Sequence, residues 1–153
     1  MAETNSSNIS WMKVHHQDHT VACIDGDKVR SLRVELPKLN EKDIAQALPH
    51  MLAKELITSI EHVYITHSPP LSSGDVIAWC ISQSHYNSLI PEFKKAHITL
   101  AVPDYVTLPY YPGSWTITAF NDCVSIRTGE FTGYSQRHEL ALITLDQEIF
   151  TLQ

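Results

Sequence analysis

Residues 76–81 read VIAWCI and form the longest uninterrupted apolar run in this chain of 153 residues. The run has the length of a strand, and because both of its faces are apolar it predicts a strand at the centre of a sheet. We therefore predict a central strand over residues 75–82. A membrane-spanning helix needs ~20 consecutive apolar residues, and no run in the chain approaches that length.

Strand and helix patterns alternate on both sides of this run. Residues 21–24 and 29–36 flank a turn at 25–28 and predict a hairpin. Asn40 predicts a helix N-cap, and an apolar stripe continues from there to Leu56. Pro49 falls inside that stripe, so we expect a kinked helix or two helical segments.

The remaining elements are assigned by the same patterns. Strands are predicted at residues 62–66, 98–102, 115–120 and 124–127, with Asn121-Asp122 as the turn of a hairpin between the last two. Helices are predicted from Ser84 to Ala96 and over residues 136–150, and residues 131–134 either extend a strand or begin a loop. This order predicts a layered α/β or α+β domain over residues 11–153, after a polar, disordered leader at residues 1–10.

Composition and charge exclude several classes of protein. Hydrophobic residues make up 43% of the chain and charged residues 18%, which is enough apolar material for a real core. The net charge of −6 argues against a nucleic-acid partner, because such proteins carry a basic stripe. A basic protein partner remains compatible with this charge.

The three cysteines, Cys23, Cys80 and Cys123, predict reduced thiols. They are far apart, form no C-x-x-C pair, and their odd number leaves one without a partner in any disulfide scheme. We expect at least two of them to be packed in the core of a protein from a reducing compartment. Cys80 lies inside the apolar strand, where a thiol is inert, so it is not predicted to be a nucleophile.

The sequence contains no motif that indicates catalysis or a cofactor. His15, His16 and His19 surround Asp18 and suggest a metal site, but a polar strand or loop explains them better, and no metal is predicted. There is no G-x-S-x-G for a nucleophile. The five glycines include no G-x-G-x-x-G and no G-K-[ST], which disfavours nucleotide binding.

Three segments together resemble a known family. Residues 47–56 (ALPHMLAKEL) are similar to its A-L-P-[FY]-x-L-E-[ED]-x-[LI] helix, although Ala53-Lys54 replaces the usual glutamates. Residues 102–109 (VPDYVTLP) are similar to its P-[DE]-x-x-x-L-P segment. Trp115, residues 124–129 (VSIRTG) and Gly133-Tyr134 resemble its last two strands. In this order, over about residues 21–150, they resemble the cytoplasmic domain of protein L of bacterial type II secretion systems.

The resemblance implies an actin-like (RNase H-like) fold, with a mixed sheet flanked by helices, in a partial version without nucleotide hydrolysis. It implies a scaffold on the cytoplasmic face of the inner membrane that recruits the amino-terminal domain of the secretion ATPase. Other inner-membrane platform proteins and a second copy of the chain are further expected partners. Family members continue into a second cytoplasmic half, a membrane span and a periplasmic domain, so we expect a longer membrane protein whose anchor is not in this chain.

The candidate site residues form two sets. Partner binding is expected at three aromatic residues, Tyr110, Tyr111 and Trp115. A structural role is expected for the signature residues Leu48, Pro49, Leu52, Pro103, Leu108, Pro109, Trp115, Arg127, Gly129 and Gly133.

Two other functions compete with the scaffold. An actin-like phosphotransferase or ATPase needs two glycine-bearing phosphate hairpins, and Asp25-Gly26 is the only candidate for one. A small-ligand sensor is the other alternative, with a pocket lined by Tyr105, Tyr110, Tyr111 and Trp115.

Overall fold

The structure is a computed structural model that describes residues 3–4, 11–16, 19–37, 40–120 and 122–151. Within these ranges the helices are α1 (Glu41–Leu52), α2 (Gln83–Lys95) and α3 (His138–Thr151). The strands are β1 (Glu3–Thr4), β2 (Trp11–His16), β3 (His19–Ile24), β4 (Val29–Val34), β5 (Val63–His67), β6 (Val76–Ser82), β7 (Leu100–Pro103), β8 (Thr116–Phe120), β9 (Cys123–Arg127) and β10 (Gly133–Arg137).

The described strands form three sheets. Sheet A has the order β1-β2-β3-β7 and is antiparallel except for the parallel pair β3 and β7. Sheet B has the order β4-β6-β5 and sheet C the order β10-β9-β8, and both are antiparallel throughout. The predicted mixture of strands and helices is confirmed.

Strand β6 is central in sheet B, as its apolar run predicts, and its alternate side chains enter two different cores. Ile77, Trp79 and Ile81 pack with residues of β3 and α2. The alternate residues Val76, Ala78 and Cys80 pack with the inner face of α1. All six residues of the run are buried, which explains why the sequence shows no polar alternation here.

The hairpin predicted for the strands around residues 25–28 is wrong. Strand β3 lies between β2 and β7 in sheet A, whereas β4 pairs with β6 in sheet B. A 3₁₀ turn at Gly26–Lys28 carries the chain from one sheet to the other. Because β2 and β7 occupy both edges of β3, no edge is left for β4.

Helix α1 begins as predicted, since Asn40 Oδ1 accepts a hydrogen bond from the Asp43 N–H at 3.0 Å. Its apolar face buries Ile44, Leu48 and Leu52. Of the two outcomes predicted at Pro49, a division into two helices is wrong, because α1 continues through this residue as one helix, and a kink there stays a prediction. Pro49 lies in the last turn, where the backbone hydrogen bond that it removes is close to the end of the helix.

Two other predicted boundaries require correction. Ser82, and not Ser84, caps α2, because Ser82 Oγ accepts a hydrogen bond from the His85 N–H at 3.2 Å. Residues 131–134 neither extend β9 nor remain a loop: from Gly133 onward they form β10, a third strand antiparallel to β9. The predicted β8–β9 hairpin is confirmed by the pairing of Phe120 with Cys123, and residue 121 lies outside the described residues.

Of the predicted leader at residues 1–10, the structure describes Glu3–Thr4, which pairs with β2, and the other eight residues lie outside the described ranges. The predicted burial of at least two cysteines is confirmed. Cys23 and Cys80 are buried, Cys123 is half-buried, and none of the three forms a disulfide.

Candidate partner-binding surface

The predicted partner-binding residues lie on the connection between β7 and β8, which begins with a 3₁₀ turn at Asp104–Thr107. Asp104 anchors this turn to sheet C. Its Oδ1 accepts hydrogen bonds from the Tyr105 N–H and from Ser135 Oγ, both at 2.6 Å. Its Oδ2 accepts one from Ser125 Oγ at 2.9 Å. A carboxylate held by three donors fixes where the connection leaves β7.

Tyr105 is fully buried beneath this turn. A Cβ atom on Gly26 would lie 2.7 Å from its ring, and one on Gly133 would lie 2.6 Å from it, so both positions require glycine for close approach. Burial raises the pKa of the Tyr105 hydroxyl well above its usual range. Of the four aromatic residues in the small-ligand alternative, Tyr105 thus belongs to the core, whereas Tyr110, Tyr111 and Trp115 are exposed.

Arg127 of β9 holds the second half of the connection. Its guanidinium donates to the Val106 carbonyl at 2.8 Å and to the Leu108 carbonyl. On its other side it donates to the carbonyls of Gly129, at 3.1 Å, and Glu130. Burial lowers the pKa of Arg127 because it desolvates the guanidinium. The four carbonyl oxygens nevertheless match the arrangement of N–H donors on this planar group.

The Arg127 guanidinium also lies over the ring of Tyr110, with its carbon 5.3 Å from the ring centroid. Next to this contact, residues 111–114 form a tight turn. The Ser114 N–H donates to the Tyr111 carbonyl at 3.1 Å, and Gly113 has a φ of +75°. Proline followed by a glycine with positive φ is the signature of a type II turn.

The turn presents Tyr110, Tyr111 and Trp115 to solvent, and we call these three residues the aromatic surface. Thr116 Oγ1 donates to the Pro109 carbonyl at 2.7 Å and closes the base of the loop. Rigid aromatic side chains bury large areas at a small cost in conformational entropy, which is why they are enriched at binding hot spots. The structure thus brings the three predicted partner-binding residues together on one supported loop.

The signature residues fall into two places. Leu48, Pro49 and Leu52 lie on α1 against sheet B. The other signature residues lie on the supported loop or contact it. The carbonyls of Leu108 and Gly129 accept hydrogen bonds from Arg127, that of Pro109 accepts one from Thr116, and Gly133 lies close to the ring of Tyr105. This set consists of Pro103, Leu108, Pro109, Trp115, Arg127, Gly129 and Gly133.

Sequence reasoning missed the network of Asp104, Ser125 and Ser135. The two serines are buried, each lies within hydrogen-bond distance of Asp104, and their hydroxyl oxygens are 2.9 Å apart. Serine in a short strand gives no local signal of such a role. The only hint is the acidic residue that follows Pro103 in the family-like segment.

The turn at Gly26, which was the one candidate for a phosphate hairpin, lies in acidic surroundings. Burial and then four carboxylates raise the pKa of the nearby Cys123 thiol; these carboxylates belong to Asp27, Asp25, Asp104 and Asp122. A phosphate entering the same region would meet the same repulsion.

Other chemistry is not evident in the described ranges. They contain no group of three or more histidine, cysteine or acidic side chains that could hold a metal ion. Asp18 lies outside the described residues, and so do the side chains of His15, His16 and His19. Among the described helices, none is both long enough and apolar enough to cross a membrane.

No protein-family model matches the sequence, and no curated protein matches it. Among solved structures, the chain is similar to the cytoplasmic domain of EpsL, an inner membrane component of the type II secretion system of Vibrio cholerae. The TM-score is 0.67 at 15% sequence identity, over 80% of this chain and 52% of that one. Over the matched region the chain shares the fold of about half of that domain.

The likeness supports, at the level of fold, the resemblance inferred from the three sequence motifs. At 15% identity the similarity lies in the backbone arrangement. The chain spans about half the length of the EpsL domain, so the activity and partners of a whole EpsL-like protein are proposals for this chain.

Proposed function

We propose that this chain is a non-catalytic scaffold domain of a type II secretion inner-membrane platform, and that it recruits the amino-terminal domain of the secretion ATPase. The observation that supports the proposal is the likeness in fold to the EpsL cytoplasmic domain. Because a fold alone does not define a function, the proposal also needs a binding site. The aromatic surface supplies one.

Three features of the aromatic surface suit a protein partner. Tyr111 is 60% exposed, and its neighbours Tyr110 and Trp115 are also exposed. The loop is held by Arg127 and by the turn at Gly113, so little conformational entropy would be lost on binding. The contact would be mainly apolar, and we therefore expect its affinity to depend only weakly on salt.

A nucleotide-dependent enzyme is the competing function. The acidic surroundings of Gly26 and the buried ring of Tyr105 against it both oppose phosphate binding at this turn. Calorimetry with Mg-ATP is expected to give no saturable heat at ~1 mM nucleotide or below. Saturable binding in that range would favour the enzyme over the scaffold.

The direct test is calorimetric titration of the purified chain with the amino-terminal domain of the cognate secretion ATPase. Tyr111→Ala is expected to weaken binding by about tenfold or more, as for a hot-spot aromatic residue. Ile57→Ala is the matched control, because Ile57 is 99% exposed and lies on the loop after α1, far from the aromatic surface in sequence. This variant should bind as the wild type does.

Titrations at low and high salt, ~50 and ~500 mM, separate two kinds of contact. A small change in affinity supports the aromatic surface, whereas a large loss at high salt indicates an acidic docking face that uses the net charge of −6. Absence of any complex at either salt would overturn ATPase recruitment by this chain.

A further inference from the structure

A cavity of about 300 Å³ lies where sheet A, sheet B and α2 meet. Its lining comes from β3 and β7 of sheet A, from the three strands of sheet B, from α2 and from the segment that joins α2 to β7. Neither the aromatic surface nor the Asp104 network contributes a residue to this lining. The cavity is therefore a feature that the proposed function does not use.

One face of sheet B forms the inner end of the cavity. Tyr64 pairs with Ile81 and Thr66 pairs with Trp79, so these four side chains point to the same face of the sheet. Trp79 and Ile81 are buried, Tyr64 is half-buried and Thr66 is exposed. The cavity thus leads from a buried apolar end to a mouth at the protein surface.

The wall formed by α2 is held in place by contacts within the protein. Tyr86 of α2 stacks on Tyr64, with the ring centroids 3.8 Å apart and the planes within 5° of parallel. At the end of α2, His97 has a φ of +53°, and the Ile98 N–H donates to the Phe93 carbonyl at 2.9 Å. This is a Schellman cap, and it fixes two residues of the lining, Phe93 and Ile98. The cavity is therefore preformed, as small-molecule sites usually are.

The lining is mainly apolar and carries no charge. Among the described residues that contribute to it there is no acidic residue, lysine, arginine or histidine. Four of the lining side chains are aromatic, namely Tyr64, Trp79, Tyr86 and Phe93. A charged molecule would lose its hydration here without gaining a partner, whereas a flat aromatic ring can stack on these side chains or meet them edge to face. The chemistry of the walls therefore favours a neutral aromatic ligand.

The volume of the cavity limits the size of this ligand. An apolar protein cavity of ~150 Å³ binds benzene, and the cavity described here is roughly twice as large. It can therefore accommodate two fused rings. Protein interiors contain few voids larger than a water molecule, and an unfilled apolar cavity lowers stability, so a cavity of this size favours an occupant.

Thr99 supplies a polar group at the mouth, where it is exposed. Its Oγ1 donates a hydrogen bond to the Thr20 carbonyl at 3.3 Å. A hydroxyl has one proton and two acceptor lone pairs, so the Thr99 oxygen can still accept a hydrogen bond. A ligand that donates an N–H or O–H satisfies this acceptor, and a ligand without a donor does not.

We propose that the cavity binds a neutral molecule of two fused aromatic rings that carries one N–H or O–H donor, with indole as the simplest example. The rings lie against Trp79 and the stacked pair of Tyr64 and Tyr86, and the donor points to Thr99 Oγ1 at the mouth. The bound molecule joins sheet A, sheet B and α2, so it also stabilises the folded chain.

The test is an NMR titration of the isotope-labelled chain with indole up to ~5 mM, read at the side-chain N–H groups of tryptophan. Trp79 Nε1 donates to the Phe131 carbonyl at 3.2 Å, and its resonance reports on the lining. Trp115 is exposed and lies outside the lining, so it is the internal control. We expect a saturable shift at Trp79 with a Kd of ~0.1–1 mM and no shift at Trp115.

A matched pair of ligands tests the hydrogen bond. Benzofuran has the shape of indole with an oxygen atom in place of the N–H, and it should bind about threefold to tenfold more weakly. Thr99→Val keeps the shape of the side chain and removes the acceptor, so it should weaken indole binding by the same factor and abolish the preference for indole. Thr58→Val makes this change at an exposed position outside the lining and should bind as the wild type does.

A further variant tests the cavity itself. Ala101→Leu places a larger side chain in the lining and should weaken the binding of both ligands by about tenfold or more. Thermal unfolding without ligand shows whether this variant is folded, and Thr99→Val provides an independent test if it is not.

Absence of a saturable shift at Trp79 up to ~5 mM indole would overturn the proposal. Equal shifts at Trp79 and Trp115 would also overturn it, because they indicate non-specific association. Equal binding of indole and benzofuran by the wild type, or unchanged indole binding by Thr99→Val, would overturn the assigned ligand class. The experiment contains no ATPase, so its failure and the failure of the proposed function are separate outcomes.

Discussion

Sheets B and C are both antiparallel and three-stranded, yet their surroundings are opposite. In sheet B the central strand β6 is covered on one face by α1 and on the other by β3 and α2. In sheet C the central strand β9 is covered by α3 and by the Asp104 network, but the outer strand β8 is largely exposed. The same pairing pattern thus forms a core in one place and leaves an exposed outer strand in the other.

The difference between the two sheets comes from the elements that pack against them. An antiparallel sheet needs only one buried face, and the second face and the edges are free for other use. The exposed large apolar side chains of the described residues include none from sheet B. Sheet C retains apolar side chains at its edge, and the aromatic surface adjoins that edge through Trp115, which directly precedes β8.

The largest effect is expected for Ile77→Ala in β6. Ile77 is 1% exposed, and truncating a buried isoleucine removes apolar contacts and leaves a cavity. We expect a loss of about 2–5 kcal/mol in the free energy of unfolding, measured by urea titration. A loss below about 1 kcal/mol would show that sheet B is not the more tightly packed region.

Alkaline pH should also destabilise the buried core. Burial, with a smaller contribution from Asp104, raises the pKa of Cys23 from 9.0 to about 11. The folded state therefore keeps a proton that the unfolded state loses, so stability falls as pH rises from about 9 to about 11, by about 2–3 kcal/mol at most.

Denaturant titrations between these pH values measure the effect. Cys23→Val should make the decline shallower, whereas Cys123→Val, a matched change in the half-buried thiol of sheet C, should alter it less. Equal pH profiles for Cys23→Val and the wild type would contradict the assignment to Cys23.

A smaller effect is expected for Ser135→Ala, which removes one donor from Asp104. The Asp104 carboxylate would keep its bonds to the Tyr105 N–H and Ser125 Oγ, so the cost should be about 1–2 kcal/mol. Thermal unfolding measures the change, with Ser72→Ala as an exposed control. A variant as stable as the control would mean that the network does not hold the connection to sheet C.

The smallest effect on folding is expected for Ile117→Ala. This substitution repeats the chemical change of Ile77→Ala at a residue that is 49% exposed, so the loss should be below about 1 kcal/mol. A loss in stability equal to that of Ile77→Ala would erase the distinction between the two sheets.

Several elements could be predicted from the sequence because their signals are local. The apolar run of β6, the Asn40 cap and the two-residue turn before β9 each depend on neighbouring residues. The candidate site was predicted only as three aromatic residues. Its support, from Asp104 and Arg127, joins residues about twenty positions apart through backbone carbonyls and hydroxyls that carry no sequence pattern.

The sequence by itself determined several of the helices and strands, such as β6 and α1, because periodicity, caps and turn residues act within a few positions. It also determined that the thiols remain unpaired and that the chain is acidic. Only the tertiary structure decided that β4 pairs with β6 and not with β3, and that β8 is an exposed edge. Strand pairing joins residues that are distant in sequence through backbone groups common to all residues, so no local pattern specifies the partner.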